Sequence, residues 1–133
     1  MTQATSNTDP RILDAIKRAI DLHTNGQTEL AVQLLSALTA EFPREAKLHG
    51  YLAAFLWRSG RFGEAIEPAR LATVLTPQSE RASLVLFHLL WKTGQRIEAL
   101  DEMKRFLTGN TSGEYSRMIK EWELSEDDEP ALD

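Results

Sequence analysis

The sequence predicts an all-α protein built from three stacked helix–turn–helix units and one additional helix at the C-terminal end. Two observations support this prediction. Glycine recurs every 34 residues, and an alanine follows each glycine by five residues. A leucine also precedes each glycine by four residues, so that three residue types share one register: Leu22, Gly26, Ala31; Leu56, Gly60, Ala65; Leu90, Gly94, Ala99. A period of this length is typical of stacked helical repeats.

Each unit reads as two helices around a glycine turn. In the second unit, apolar residues follow helical spacing from Leu48 to Leu56, and Ser59-Gly60-Arg61 interrupts them. Glycine suits this place because the turn after a helix usually needs a left-handed residue. A second helix follows and ends at Thr76-Pro77. In chain order, we expect helices at 10–24, 28–41, 45–58, 62–75, 79–92, 96–108 and 112–124.

Local signals agree with these boundaries. Asp9-Pro10 predicts an N-cap followed by proline at the first helical position. Thr111-x-x-Glu114 predicts a capping box for the last helix. Pro68 is the one conflict, because a proline inside a helix removes a backbone hydrogen bond and should kink it. The last helix carries one apolar stripe, which we expect to cover the open end of the third unit: Tyr115, Met118, Ile119, Trp122.

The composition excludes several classes of protein. The 133 residues contain 42% hydrophobic and 26% charged residues, as in a soluble globular domain. Cysteine is absent, so disulfide scaffolds, thiol catalysis and cysteine-ligated metals are excluded. No apolar run approaches the roughly 18 residues that cross a bilayer, and the polar start MTQATSNTDP lacks the regions of a signal peptide. We therefore expect a cytoplasmic protein without a membrane partner.

The net charge of −5 is unevenly distributed. Residues 121–133 contain seven acidic residues and no basic residue, whereas residues 44–96 contain eight basic and four acidic residues. We therefore predict a loosely ordered N-terminus at 1–9, a single domain at 10–124 and a disordered acidic tail at 125–133. A sharper hypothesis is that this tail folds back on the basic residues Arg58 and Lys92 and competes with a ligand.

The 34-residue period, the Gly60-x-x-x-x-Ala65 core and the prolines Pro43 and Pro77 resemble the tetratricopeptide repeat. The resemblance implies a right-handed helical solenoid with repeats at about 12–45, 46–79 and 80–111 and a capping helix at 112–124. The first and third repeats depart from the pattern. The aromatic residue two positions after the glycine is Phe62 in the second repeat, but Thr28 and Arg96 in the others.

In this family the concave face of the solenoid, lined by the first helix of each repeat, is the usual ligand surface. The resemblance therefore implies a groove that binds a protein or peptide. Its positions in this sequence form an apolar strip in the first repeat, small residues in the second, and tryptophan–cation pairs along one rim: Leu13, Ile16, Ile20, His23, Lys47, Gly50, Ala54, Trp57, Arg58, Arg81, Leu84, His88, Trp91, Lys92. This chemistry favours an acidic or amphipathic peptide.

Several alternatives remain open at this stage. Trp57 and Trp91 occur at helical spacing, which is equally typical of core packing, and cations at helix C-termini also serve the helix dipole. The strip of Leu13, Ile16 and Ile20 would also suit a homodimer. A nucleic-acid partner is disfavoured because the basic excess is small and the tail would repel phosphate.

Catalysis and a chaperone-type carboxylate clamp are both disfavoured. His23, His49 and His88 lie in three different units, no metal-ligand spacing occurs, and no phosphate-binding or nucleophile motif is present. We expect no cofactor. The clamp positions of the family hold Ile16, Ile20, Tyr51, Arg81 and Val85, of which Arg81 alone has suitable chemistry. The expected role is that of a bacterial adaptor, secretion chaperone or immunity protein that holds another protein.

Overall fold

The structure, a computed structural model, describes residues 9–128 and shows helices and no strand in that range. The first six helices form three hairpins that pack on one another in chain order, and the first helices of the hairpins also contact each other. This confirms the predicted all-α repeat architecture. The helices are α1 Pro10–Thr24, α2 Thr28–Glu41, α3 Ala46–Arg58, α4 Phe62–Leu75, α5 Glu80–Lys92, α6 Arg96–Gly109 and α7 Gly113–Asp128.

The three repeat glycines end the first helix of each hairpin in the left-handed conformation. Gly26, Gly60 and Gly94 have φ values of 84°, 79° and 85°. In the second hairpin the Gly60 N–H donates to the carbonyl of Trp57 at 2.9 Å, and the Arg61 N–H donates to that of Leu56 at 2.9 Å. This pair of bonds is a Schellman motif, and it recurs at the other two turns. The predicted turn conformation is therefore confirmed in all three units.

The core runs without interruption through the three hairpins. The repeated alanines Ala31, Ala65 and Ala99 are each 0% exposed, because a small side chain lets the two helices of a hairpin approach closely. Leu56 and Leu90 lie in the same core. Pro68 is buried inside α4, and the helix continues through it from Phe62 to Leu75. None of the helices within residues 9–128 combines the length and apolarity that a bilayer crossing requires.

The helix caps follow the prediction at α1 and depart from it at α7. Asp9 caps α1 by accepting a hydrogen bond from the Arg11 N–H at 2.9 Å. At α7 the predicted capping box at Thr111 is wrong by one position. Ser112 is the capping residue, and its Oγ accepts from the Tyr115 N–H at 3.0 Å. Ser112 also donates to the Glu80 carboxylate, which ties the cap of α7 to the start of α5.

Helix α7 covers the end of the third hairpin, as predicted. Tyr115 is 0% exposed. The centroid of its ring lies 5.5 Å from the ring centroid of Phe87 and 6.0 Å from that of Phe106. Its hydroxyl is 2.7 Å from that of Ser83, which is also fully buried. Burial raises the pKa of Tyr115 to about 12. The capping helix is thus held by both apolar and polar contacts.

The prediction placed the end of α7 at residue 124, but the helix continues to Asp128. The segment up to Asp128 contains no glycine or proline after the start of the helix, and glutamate is a good helix former, so nothing local ends the helix earlier. The first four residues of the predicted disordered tail are therefore helical. The rest of that tail, 129–133, and the predicted loose N-terminus up to residue 8 lie outside the described residues.

Candidate functional site

A cleft with a volume of about 390 Å³ lies between the first helices of the three hairpins. Its floor is a row of small residues on one face of α3, spaced by four positions: Ala46, Gly50 and Ala54. Ile20 of α1 forms part of one wall, and Val85 of α5 forms part of the other. The small floor leaves room for the backbone of a ligand to approach α3 closely.

A second cavity of about 760 Å³ adjoins the cleft and is lined in part by Trp57, Leu84 and His88. The two cavities share lining residues from α1, α3 and α5, so they form one continuous surface, which we call the groove: His23, Ala54, Arg58, Arg81, Val85. The groove lies on the first helices of the hairpins, where the family resemblance places it.

The structure brings ten of the fourteen predicted site residues to the groove: Ile20, His23, Lys47, Gly50, Ala54, Trp57, Arg58, Arg81, Leu84, His88. Ile16 is 7% exposed and belongs to the core, so the prediction that placed it on the surface is corrected. Leu13 is 45% exposed but does not line the groove. The strip suggested for a homodimer therefore loses its central member.

Trp91 and Lys92 also lie outside the groove. The Trp91 ring stacks on Trp122 of α7 at 5.4 Å, and the Arg96 guanidinium lies 4.8 Å from its centroid. The Lys92 ammonium lies 5.0 Å from the ring of Phe62. Trp91 is therefore a packing residue between α5 and α7.

Trp57 occupies the same repeat position as Trp91 but lines the groove. Each tryptophan contacts the residue 31 positions later: Trp57 meets His88 at 6.4 Å, edge to face, and Trp91 meets Trp122, stacked. Both tryptophans are half-buried. The neighbour of Trp57 is His88, which itself lines the groove, whereas the neighbour of Trp91 is Trp122 of the capping helix. The 31-residue spacing was present in the sequence, but it identifies a contact only when the stacking of the repeats is known.

Seven residues that line the groove were not among the predicted site residues, and the sequence analysis considered two of them, Tyr51 and Val85, as clamp positions alone. The seven are Ala46, Tyr51, Phe55, Thr76, Ser79, Ala82 and Val85. Tyr51 and Val85 share one repeat position, so the 34-residue register could have found them together. Thr76 and Ser79 lie at the turn between α4 and α5. No helical periodicity points to them, because their exposure depends on how the third hairpin docks.

The charges of the groove have one sign. Lys47, Arg58 and Arg81 line it, and none of the aspartates and glutamates that the structure describes does. Among the described residues, none of these three cations has a carboxylate within 4.0 Å. By contrast, Arg61 pairs with Glu29 at 2.7 Å, and Arg105 pairs with Glu102 at 2.6 Å, both away from the groove. The groove therefore presents three cations without an internal counter-ion.

The histidines do not form a reactive group. Burial lowers the pKa of His88 and so favours its neutral form, and the Glu114 carboxylate partly offsets this effect. His23 is hydrogen-bonded to Thr28 through Nδ1 at 2.8 Å and packs on Phe55. His49 is buried and donates from Nε2 to the Pro43 carbonyl at 2.8 Å. The part of the chain that the structure describes holds no group of three residues suited to a metal ion.

No protein-family model matches the chain, and no curated protein sequence matches it. Several solved structures do. A MamA mutant is 22% identical, with a TM-score of 0.65 over 79% of this chain and 77% of that chain. MamA from AMB-1 is 25% identical, with a TM-score of 0.64, and this chain spans 57% of its length.

The Yersinia enterocolitica type III secretion translocator chaperone SycD is also similar to this chain. It is 16% identical to this chain. The structural alignment has a TM-score of 0.73 and covers 90% of this chain and 96% of SycD. MamA and SycD are helical solenoids of the tetratricopeptide type. These similarities show the fold, and they confirm the tetratricopeptide-like architecture that the 34-residue period predicts.

Proposed function

We propose that this protein holds a segment of another protein in the groove and carries out no catalysis. The observation that supports this most directly is the combination of an open apolar cleft with three cations that have no internal carboxylate partner among the described residues. Cations left unpaired beside an apolar surface attract a ligand of opposite charge and complementary shape.

The lining of the groove suits a peptide. Ala46, Gly50 and Ala54 allow close backbone approach, while Tyr51 and Trp57 supply larger surfaces at the sides. Aromatic residues and arginines are the side chains most enriched among those that dominate binding energy at protein interfaces. An extended or helical segment would therefore bury apolar side chains along α3 and place its polar groups at the edges of the groove.

The positions of the cations favour an acidic segment. Lys47 begins the groove on α3 and Arg58 ends it, 11 residues later, which corresponds to about 16 Å along the helix axis. Arg81 lies at the start of α5, on the other wall. The partner segment we propose carries carboxylates near both ends and small apolar residues between them. Burial lowers the pKa of His88, which favours its neutral form, so the proposal assigns the positive charge of the groove to Lys47, Arg58 and Arg81.

Within this binding class, an adaptor or chaperone role is the specific form we propose. SycD is described as a secretion translocator chaperone, and its fold covers nearly the whole of this chain. MamA, another structural neighbour, has a similar solenoid. These similarities support a holding role, and the three histidines lie apart, each in a different hairpin.

The test begins with selection of acidic 12-residue peptides on the wild-type protein from a displayed library. The Kd of a selected peptide is then measured by fluorescence anisotropy for three variants. Gly50→Leu fills the floor while replacing glycine in a helix with a better helix former, so it should stay folded. Arg58→Glu reverses one cation of the groove. Arg70→Glu is the matched control, an exposed arginine on α4 outside the groove.

We expect Gly50→Leu and Arg58→Glu each to raise the Kd at least tenfold and Arg70→Glu to change it less than twofold. Far-UV circular dichroism checks that all three variants keep their helices. If Gly50→Leu is folded and binds as tightly as wild type, the peptide does not use the groove and the proposal fails. Trp57 is a poor probe because it also packs against Phe62 at 5.8 Å.

A further inference from the structure

We propose that the acidic end of α7 in one copy of this chain binds the groove of a second copy. This inference rests on the proposed function, since it uses the same groove. It assigns a ligand to that groove from within the protein. The ligand segment is residues 121–133, which we call the acidic segment.

The chemistry of the two surfaces is complementary. The acidic segment contains seven acidic residues and no basic residue, and it also contains Leu124, Ala131 and Leu132. Glu121 and Glu123, its first two acids, are exposed on α7. The groove contains three cations, no carboxylate among its described residues and a floor of small residues. An acidic segment with scattered apolar side chains is the class of ligand that the groove favours.

Helix α7 packs on a different face of α5 from the one that lines the groove. Helix α5 contacts α7 through Ser83, Phe87 and Trp91, which lie at positions i, i+4 and i+8. It lines the groove through five other residues: Arg81, Ala82, Leu84, Val85, His88. At 100° per residue the centres of the two sets lie roughly 130° apart around α5. Helix α7 therefore lies beside the groove of its own chain, and none of its described residues lines that groove.

The contacts of α7 also hold its last turns in that position. Trp122 is stacked on Trp91 at 5.4 Å and lies 6.4 Å from Phe87, and the helix continues beyond it to Asp128. For residues 121–128 to enter the groove of their own chain, the last turns of α7 would have to unwind and cross the end of α5. The groove of a second copy requires neither change, which is why a second copy is the occupant we propose.

A contact between the end of one copy and the groove of the next uses two different surfaces. Such a heterologous contact leaves a groove and an acidic segment open at the ends of each assembly, so it forms open chains unless the geometry closes a ring. Because the attraction is between charges, the assembly should depend on concentration and weaken with salt. A partner peptide in the groove should dissociate it.

The first experiment measures the weight-average mass of the full chain by sedimentation, over protein concentrations from roughly 10 μM to 1 mM. Each concentration is measured in low salt and in high salt near 1 M, because at about 1 M salt charges are screened within a few ångströms. We expect the mass to rise above the 15.0 kDa of one chain with concentration at low salt and to return to it at high salt. The triple variant Glu126→Gln, Asp127→Asn, Asp128→Asn should weaken association at least tenfold. The control variant Asp14→Asn, Glu67→Gln, Asp101→Asn loses the same three charges from exposed positions outside the groove and should associate as wild type does.

The decisive experiment uses two charge-reversed variants. One carries Arg58→Glu and Arg81→Glu in the groove; the other carries Glu126→Lys, Asp127→Lys and Asp128→Lys in the acidic segment. Each alone brings like charges together and should stay at the mass of one chain. Mixed in equal amounts, they present complementary surfaces to each other and should associate. If the mixture stays monomeric, or if the control triple variant weakens association as much as the acidic-segment variant, the inference is overturned.

Three further outcomes separate this inference from the proposed function. If wild type stays monomeric at the highest concentration and low salt but still binds the selected peptide, self-recognition fails and peptide binding stands. If it is monomeric and the neutral triple variant binds that peptide more tightly, the acidic segment occupies its own groove, and the second-copy inference is wrong. If neither the peptide nor a second copy binds, the proposed function fails as well.

Discussion

The hydroxyl pair between Ser83 and Tyr115 provides a quantitative test of how α7 is attached to the solenoid. Both side chains are 0% exposed and their oxygens are 2.7 Å apart, so water cannot replace either partner. Ser83→Ala leaves the Tyr115 hydroxyl buried without its partner, which should cost about 1–3 kcal/mol. Tyr115→Phe should cost about 1 kcal/mol, because the serine hydroxyl can turn back to a carbonyl of its own helix.

The double variant should be less destabilised than the sum of the single variants. With both hydroxyls removed, no buried polar group of this pair is left unpaired, and the phenyl ring that remains at position 115 keeps the contacts with Phe87 and Phe106. We expect an interaction energy of about 1–2 kcal/mol between the two positions. The measurement is the free energy of urea unfolding at pH 7 for the wild type, both single variants and the double variant.

A control cycle pairs Ser83→Ala with Thr39→Ala. Thr39 lies in α2 and donates its hydroxyl within its own helix, to the carbonyl of Ser36 at 2.8 Å. Positions without shared partners should be additive to within about 0.5 kcal/mol. If the Ser83–Tyr115 cycle is additive to the same degree, the two hydroxyls do not stabilise α7 through each other, and the reasoning from burial is refuted.

The remaining predictions concern backbone conformation and pH. Gly60→Ala should lower the free energy of unfolding by about 1–2 kcal/mol, because Gly60 has a φ of 79°, which alanine adopts only at a cost. The cost comes from the backbone conformation and not from a clash, since an added Cβ meets no atom within 4 Å. Gly50→Ala, which has the same open space but lies inside α3, should instead raise it by about 0.5–1 kcal/mol; urea unfolding of both variants tests the two signs, and equal signs would contradict the argument. The pKa of Tyr115 is raised from 10.0 to about 12 in the folded protein. The protonated hydroxyl therefore contributes stability that is complete below pH 10 and is lost as the pH rises toward 12. Over this range the free energy of unfolding should fall by about 3 kcal/mol. Unfolding measured from just below pH 10 up to about 12 should show this decline in wild type and lack it in Tyr115→Phe.

Most helix boundaries could be predicted because their causes are local. Six of the seven helices end within one residue of the expected positions, since glycine turns, proline and helical spacing act over a few residues. The capping box at Thr111 was wrong because Thr111 and Ser112 are both good N-caps, and the choice depends on a distant partner. Ser112 also reaches Glu80, 32 residues earlier in the chain.

The candidate site was predictable in part. The family resemblance assigned Gly50, Ala54 and Arg58 to groove positions of the repeat, and the structure brings all three to the groove. The resemblance also assigned Trp57 and Trp91 to one repeat position of the groove, but of these two Trp57 alone lines it. The difference lies in their neighbours, because Trp57 meets His88, which also lines the groove, whereas Trp91 stacks on Trp122 of the capping helix.

The sequence by itself determined the number of units, their turns and the conformation of the three repeat glycines. These features follow from hydrogen bonds and backbone preferences within a single helix–turn–helix unit. The tertiary structure decided which side chains of α1, α3 and α5 remain exposed, and therefore left Lys47, Arg58 and Arg81 beside an open cleft without carboxylates among the described residues. Exposure is set by neighbours that lie one repeat away in the chain, and their packing cannot be read from the order of residues alone.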